Sequence, residues 1–156
     1  MNGFKMIYVR LACEKDSKAL FTWRNNEVTR SMSLTTDLVQ WDGHQKWFEY
    51  TIKNPNRMLI MCLLEDTNER LAVVRFDLNE VRALVSINLS PKIRGKGMAK
   101  KCLFESIDFL KKNKAKVNFL DAEIKRENLA SINSFEGVGF VRISEESDLL
   151  QFEYAI

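Results

Sequence analysis

This 156-residue chain predicts an α/β fold, a single mixed and mostly antiparallel sheet of about seven strands flanked by about four helices. Three observations carry that expectation. A hydrophobic content of 46% over this length suffices for one well-buried core and is short for two, so residues 1–156 read as one domain. The hydrophobic period switches repeatedly between two and 3.6, in the order strand, two helices, three strands, helix, strand, helix, two strands. Residues 82–113 form the clearest unit, a strand, a glycine turn and an amphipathic helix. A mixed sheet with helices against it is the natural packing of that order.

The elements follow from local pattern. Lys5–Leu11 alternates as Met6, Tyr8 and Arg10 against Ile7, Val9 and Leu11, a first strand. Asp16-Ser17 opens a helix carrying Leu20, Phe21 and Trp23 that ends near Asn25-Asn26. Thr29–Asp37 reads as a polar loop, and a second helix starts at Asp42 or Gly43 with Trp47, Phe48 and Ile52 as anchors, ending before Asn54-Pro55-Asn56. Met58–Leu64 and Leu71–Leu78 make a hairpin around Asp66-Thr67-Asn68. In Arg82–Ser90 one face is wholly apolar (Ala83, Val85, Ile87, Leu89), and Pro91 ends the pairing. From Ala99 onward, Ala99, Leu103, Ile107 and Leu110 recur at helical spacing opposite a lysine-rich face. Val117–Ile124 is a further strand. Asn128 caps a short helix with Leu129, Ile132 and Phe135 inward and Gly137 as its stop. Gly139–Val141 and Leu149–Tyr154 close the sheet.

Between the central strand and its helix lies Arg94-Gly95-Lys96-Gly97-Met98-Ala99. Glycine lets backbone approach a ligand closely, and the first helical amides have no internal partner. Such a turn aims N–H groups and the positive end of a helix dipole at one point, which suits a phosphate. It is not a nucleotide-hydrolysing P-loop, because no Gly-Lys-Ser/Thr follows, and it lacks Gly-x-Gly-x-x-Gly dinucleotide spacing.

Composition removes other classes. No charge-free apolar run approaches the roughly 20 residues of a membrane helix, and the N-terminal stretch has no signal-peptide pattern. Cys13, Cys62 and Cys102 are odd in number and widely spaced, so each is expected buried and reduced, which fits the cytoplasm. His44 is the only histidine, and no metal site is expected. The net charge of +3 is mild; the lysines from Lys92 to Lys116 gather near the phosphate turn and fit a solvated helix face or an anionic cofactor better than nucleic acid.

The spacing Arg94-x-x-Gly97-x-Ala99, after a strand ending in Pro91 and before a helix, resembles motif A of the GNAT superfamily of acetyl-CoA-dependent N-acetyltransferases. Asn128-x-x-Ser131-x-x-x-Phe135-x-x-x-Gly139-Phe140 resembles its motif B. The order of elements is also that of the GNAT fold, so the resemblance covers essentially the whole chain. It implies acetyl-CoA as cofactor, with its pyrophosphate at Arg94, Gly95, Lys96, Gly97, Met98 and Ala99, its pantetheine arm along Ile87, Asn88 and Leu89, and Asn128 and Ser131 beside it. A backbone N–H near Asn88 or Leu89 would polarise the thioester carbonyl. The amine attacks directly, so no enzyme nucleophile is needed.

A base for the ammonium proton and an acid for the thiolate complete the chemistry. Glu123 and His44 are the two candidates for the base. Many relatives carry Tyr where this chain has Phe135, leaving Tyr154 and Ser134 as substitutes for the acid. Trp23-Arg24-Asn25-Asn26 looks like a segment of the ribosomal-protein Nα-acetyltransferase branch. Adding Trp41-x-x-His44-x-x-Trp47-Phe48 and Val74-Arg75-Phe76-Asp77 makes the chain similar to nucleotide-sugar N-acetyltransferases of pseudaminic and related nonulosonic acid biosynthesis. That likeness implies a UDP-linked 4-amino-4,6-dideoxy sugar as acceptor, met by Trp23, Arg24, Asn25, His44, Trp47 and Arg75. Protein or peptide Nα-acetylation is the alternative, and a non-catalytic acyl-CoA-binding module a third. The expected partner is a small-molecule amine, with neither nucleic acid nor membrane; a homodimer stays open.

Overall fold

The computed structural model describes residues 6–156; Lys5, expected to start the first strand, lies outside them. Seven strands form one sheet in the order β1-β2-β3-β4-β5-β7-β6. They are β1 (Ile7–Leu11), β2 (Arg57–Leu64), β3 (Arg70–Asn79), β4 (Arg82–Leu89), β5 (Phe119–Lys125), β6 (Val141–Glu146) and β7 (Leu149–Ala155). Among the described residues only β4 and β5 pair in parallel; every other neighbouring pair is antiparallel. The helices are α1 (Ser17–Asn25), α2 (Glu27–Met32), α3 (Trp41–Lys53), α4 (Met98–Asn113) and α5 (Leu129–Val138).

Alternation in the strands feeds two cores. Ala72, Val74, Phe76, Ala83, Val85, Leu120 and Ala122 point to the side covered by α4 and α5, where Leu103, Leu110, Ile132 and Phe135 meet them. Leu59, Met61, Leu63 and Val73 point the other way and pack beneath α1 and α3 with Leu20, Trp23 and Phe48. β2 is buried on both faces from Met58 to Leu64, so its sequence shows an unbroken apolar run. The second core covers only the β1–β3 end of its face; on β4 and β5, Ser86 and Glu123 are exposed there.

Several local expectations are corrected. The stretch expected as a loop from Thr29 begins inside α2, because the Asn26 side chain accepts from the amides of Val28 and Thr29 and caps a two-turn helix. In α5, Leu129 is 68% exposed rather than inward, because at the first helical position it borders the open cavity and not the core. Gly137 is inside that helix, and Gly139, at φ 128°, ends it. The next strand runs through Glu146 instead of stopping at Val141; as an edge strand exposed along its length, it alternates only through Val141 and Ile143 and ends in polar residues. Asp16 precedes α1 but makes no cap bond to it, being held by Arg10, Arg70 and the Cys13 amide instead. Cys62 and Cys102 are buried, whereas Cys13 is exposed.

Candidate functional site

β4 and β5 are ladder neighbours only from Arg82 to Leu84 and Phe119 to Asp121, yet β4 continues to Leu89 and β5 to Lys125. Beyond the last pair the strands part. The split opens into a cavity of about 600 Å³ lined by Ile87, Asn88, Leu89, Arg94, Gly95, Ala99, Asn128 and Ser131 among the residues expected to meet the cofactor. Lys96 and Gly97 are exposed on the turn itself, and Met98 is buried in the core, so these three do not line it.

The turn takes the shape its glycines require. Gly95 and Gly97 have φ of 75° and 71°, a region open to glycine and strained for other residues, and the second is the N-cap of α4. Nothing lies within 4 Å of where a Cβ would stand at either, so their open faces leave room for a ligand to touch backbone. A split sheet, a glycine turn and the N-terminus of a 16-residue helix bordering one cavity fit an extended cofactor carrying a pyrophosphate.

On the other wall stand Arg24, His44, Trp47 and Arg75. Arg24 lies over the Trp47 ring at 5.4 Å; burial, and then the positive charge of Arg75, lower its pKa. Arg75 has Asp77 at 3.3 Å, while its Nε is buried without a partner. Trp23 and Asn25 lie behind this wall. The first is 7% exposed in the α1–α3 core, and the second clamps Val39, donating to its carbonyl at 2.9 Å and accepting from its amide at 2.8 Å.

Strand register locates Glu123. Arg75 is opposite Ser86 on β3–β4, and Leu84 is opposite Asp121 on β4–β5. Two residues onward, Ser86 and Glu123 share this face on either side of the split, and both border the cavity. Arg75 is thus one strand spacing plus the width of the split from Glu123, more than roughly 10 Å. Ser86 was missed as a site residue, although its alternation with Asn88 could have revealed it. The α2 contribution, Val28, Thr29 and Met32, was missed with the helix.

The other proposed proton carriers differ from expectation. His44 is buried, only 1% exposed. Its Nε2 is 2.8 Å from the Ser17 carbonyl, which can only accept, so that nitrogen carries the proton; Nδ1 is buried with no partner. Phe21, Trp41, Trp47 and Phe48 surround the ring. Burial and the nearby Arg24 charge lower its pKa against the opposing Ser17 hydrogen bond, burial being the largest effect. The imidazole borders the cavity, but Nε2 already holds its proton against Ser17, and Nδ1, which keeps its lone pair, is enclosed. Tyr154 lies outside the cavity lining, its ring stacked on Phe140 at 5.3 Å. Ser134 lines it, with its hydroxyl donating to the Ala130 carbonyl at 2.9 Å.

No helix among the described residues is long and apolar enough to cross a membrane, and no group of three or more His, Cys, Asp or Glu residues among them could hold a metal ion. No curated protein matches the sequence significantly. The chain is similar in structure to a domain from Methanocaldococcus jannaschii, at 21% identity over 98% of this chain and 100% of that one, with a TM-score of 0.84. It is also similar to spermidine N-acetyltransferase from Vibrio cholerae in complex with CoA and spermine, at 15% identity over 96% and 95% of the two chains, TM-score 0.84. Aminoglycoside acetyltransferase AAC(6')-Ib in complex with coenzyme A follows at 14% identity over 96% and 95%, TM-score 0.77. The family model described as an acetyltransferase (GNAT) domain matches residues 7–141. The chain belongs to the GNAT family and is an acetyl-CoA-dependent N-acetyltransferase.

Proposed function

We propose that this enzyme acetylates the amino group of a UDP-linked 4-amino-4,6-dideoxy sugar. The observation that carries the reading is the pair of guanidiniums, Arg24 and Arg75, on the acceptor wall, with Glu123 across the split. Arg75 has Asp77 beside it, but Arg24 forms no salt bridge among the described residues, so the wall keeps a net positive charge that favours an acceptor bringing its own anion. A hexose ring and its anomeric diphosphate form an extended acceptor that can reach from a carboxylate at the amine, across the split, to the guanidiniums. Trp47, already under Arg24, adds an aromatic face for a sugar or base.

When bound, acetyl-CoA supplies the acetyl group as an activated thioester. Arg94, the glycine turn and the start of α4 would hold its pyrophosphate, and the free edge of β4 at Ile87–Leu89 its pantetheine arm. Glu123, exposed at the split, accepts the ammonium proton and leaves a nucleophilic amine. Arg24 and Arg75 orient the acceptor so that its amine faces the split. Tyr154 and Ser134 are not needed as acids in this scheme, the first being remote and the second engaged with Ala130.

The test is CoA release from acetyl-CoA with the UDP-amino sugar, with spermidine and with a panel of N-terminal peptides. Release that depends on the sugar nucleotide supports the reading; release only with spermidine or peptides overturns it. Arg24→Met and Arg75→Met should each raise the KM for the sugar nucleotide about 10–100-fold, the loss of a charge-assisted hydrogen bond, with a much smaller effect on acetyl-CoA.

A further inference from the structure

Arg94 belongs to the cofactor turn, yet its guanidinium reaches back to α2. Its Nη1 donates to Asn26 Oδ1 at 2.9 Å, and its Nη2 donates to Thr29 Oγ1. Asn26 Oδ1 is the same atom that caps α2 by accepting from the Val28 and Thr29 amides at 3.1 and 3.3 Å. Arg94 forms no salt bridge among the described residues, and burial lowers its pKa. A guanidinium has five N–H donors in a planar fork, so two bonds to α2 leave three for an oxyanion. Val28, Thr29 and Met32 of α2 wall the same cavity into which Arg94 projects.

We infer that Arg94, Asn26 and Thr29 form a joint through which cofactor binding braces the acceptor wall. An anion held by the free donors of Arg94 fixes the guanidinium, and the fixed guanidinium holds the cap and first turn of α2. At six residues, that helix is too short to be stable alone and depends on such outside contacts. The coupling is therefore positive, and by linkage a bound acceptor tightens acetyl-CoA by the same factor. Asn25 anchors Val39 from the preceding position, so two successive asparagines fix the two ends of the segment between α1 and α3. Asn26 and Thr29 act here as positioning residues. The inference rests on the cofactor pyrophosphate lying at the glycine turn.

The test follows backbone amide exchange of residues 27–33, with and without CoA, in the wild type and in Thr29→Val, alongside CoA affinity by calorimetry. Thr29→Val keeps the side-chain shape and removes the acceptor for Arg94. CoA should slow exchange in α2 of the wild type about tenfold or more, and in Thr29→Val by threefold or less. Sheet amides in β2 and β3 report whether the variant is folded. Binding of CoA with no change in wild-type α2, or equal slowing in both proteins, overturns the joint. Absence of CoA binding in the wild type overturns the cofactor placement, and the joint with it. Thr29→Ser restores the hydroxyl and should restore the slowing; if it does not, the hydroxyl is not the link.

Discussion

A base for the acceptor's ammonium must lie beside that group and have a lone pair open to its proton. Glu123 meets both conditions, being exposed at the split and facing Ser86 across it. Glu123→Gln should therefore lower kcat about 100-fold near neutral pH, a loss within the usual range for general bases. Raising the pH should recover much of it, because the amine then loses its proton in solution. A uniform loss at every pH would mean that Glu123 positions the acceptor and does not take its proton. His44 fails the second condition, with Nε2–H on the Ser17 carbonyl and Nδ1 enclosed. It has a different signature. Its folded pKa lies below the unfolded value, so its contribution to stability is complete above pH about 6.5 and declines as pH falls below that toward the folded value. As the only histidine, it should account for the slope of unfolding free energy between pH 5 and 6.5, at most about 1.4 kcal/mol per pH unit. In urea titrations His44→Phe should flatten that slope whatever it does to stability at pH 8, and an unchanged slope would remove His44 as its source.

The elements on the acceptor side are tied together by buried polar groups. Asp16, 0% exposed, receives Arg10 from β1 and Arg70 from β3 and also holds the Cys13 amide at 2.9 Å. Burial alone would raise its pKa, but the hydrogen bonds from Arg10, Arg70 and Cys13 prevail and hold it at about 2. With a depressed folded pKa, its contribution is complete above the unfolded value near 4 and is lost as pH falls through 2. Asp16→Asn should cost about 2 kcal/mol at pH 7 and less at pH 3, read by urea denaturation; an equal cost at both pH values would exclude the ion pairs as its origin. This cluster also marks where sequence reading stops. Strands, the glycine turn and the motif helix were legible because alternation, helical spacing and φ-positive glycine are local signals. Arg24, Arg75 and Glu123 could be named from their chemistry, but that all three border one cavity emerges only from the fold. The aspartate before α1 reads as a cap, while its partner Arg70 is 54 residues away. The helix α2 depends on one asparagine side chain and a distant arginine, and its hydrophobic pattern is too short to signal it. For His44, helical spacing gave no warning that Ser17 and four aromatic rings would enclose it.

The sheet is joined most weakly between β4 and β5, where we place the cofactor. Three residue pairs link β4 to β5, and past them the two halves separate. Arg82 of β4 strengthens the junction from one side, bonding Asp121 of β5 at 2.7 and 2.9 Å and Glu153 of β7. From the other side α4 bridges the halves, with Leu103 and Leu110 in the core shared by β3, β4, β5 and β7. A ligand in the split touches both halves and binds only when they are assembled, so it should stabilise the molecule as a unit. At 100 times its dissociation constant, acetyl-CoA should add about 2.7 kcal/mol. For a chain of this length that raises Tm by about 5–10 °C, in a single transition. Gly97→Trp provides the control, because it fills the open side of the turn where backbone would meet pyrophosphate. Its φ of 71° makes any side chain there costly by about 1–2 kcal/mol, so the variant should begin from a lower Tm and gain little from acetyl-CoA. A full shift in Gly97→Trp would move the pyrophosphate away from this turn, and no shift in the wild type at saturating cofactor would remove acetyl-CoA from the split altogether.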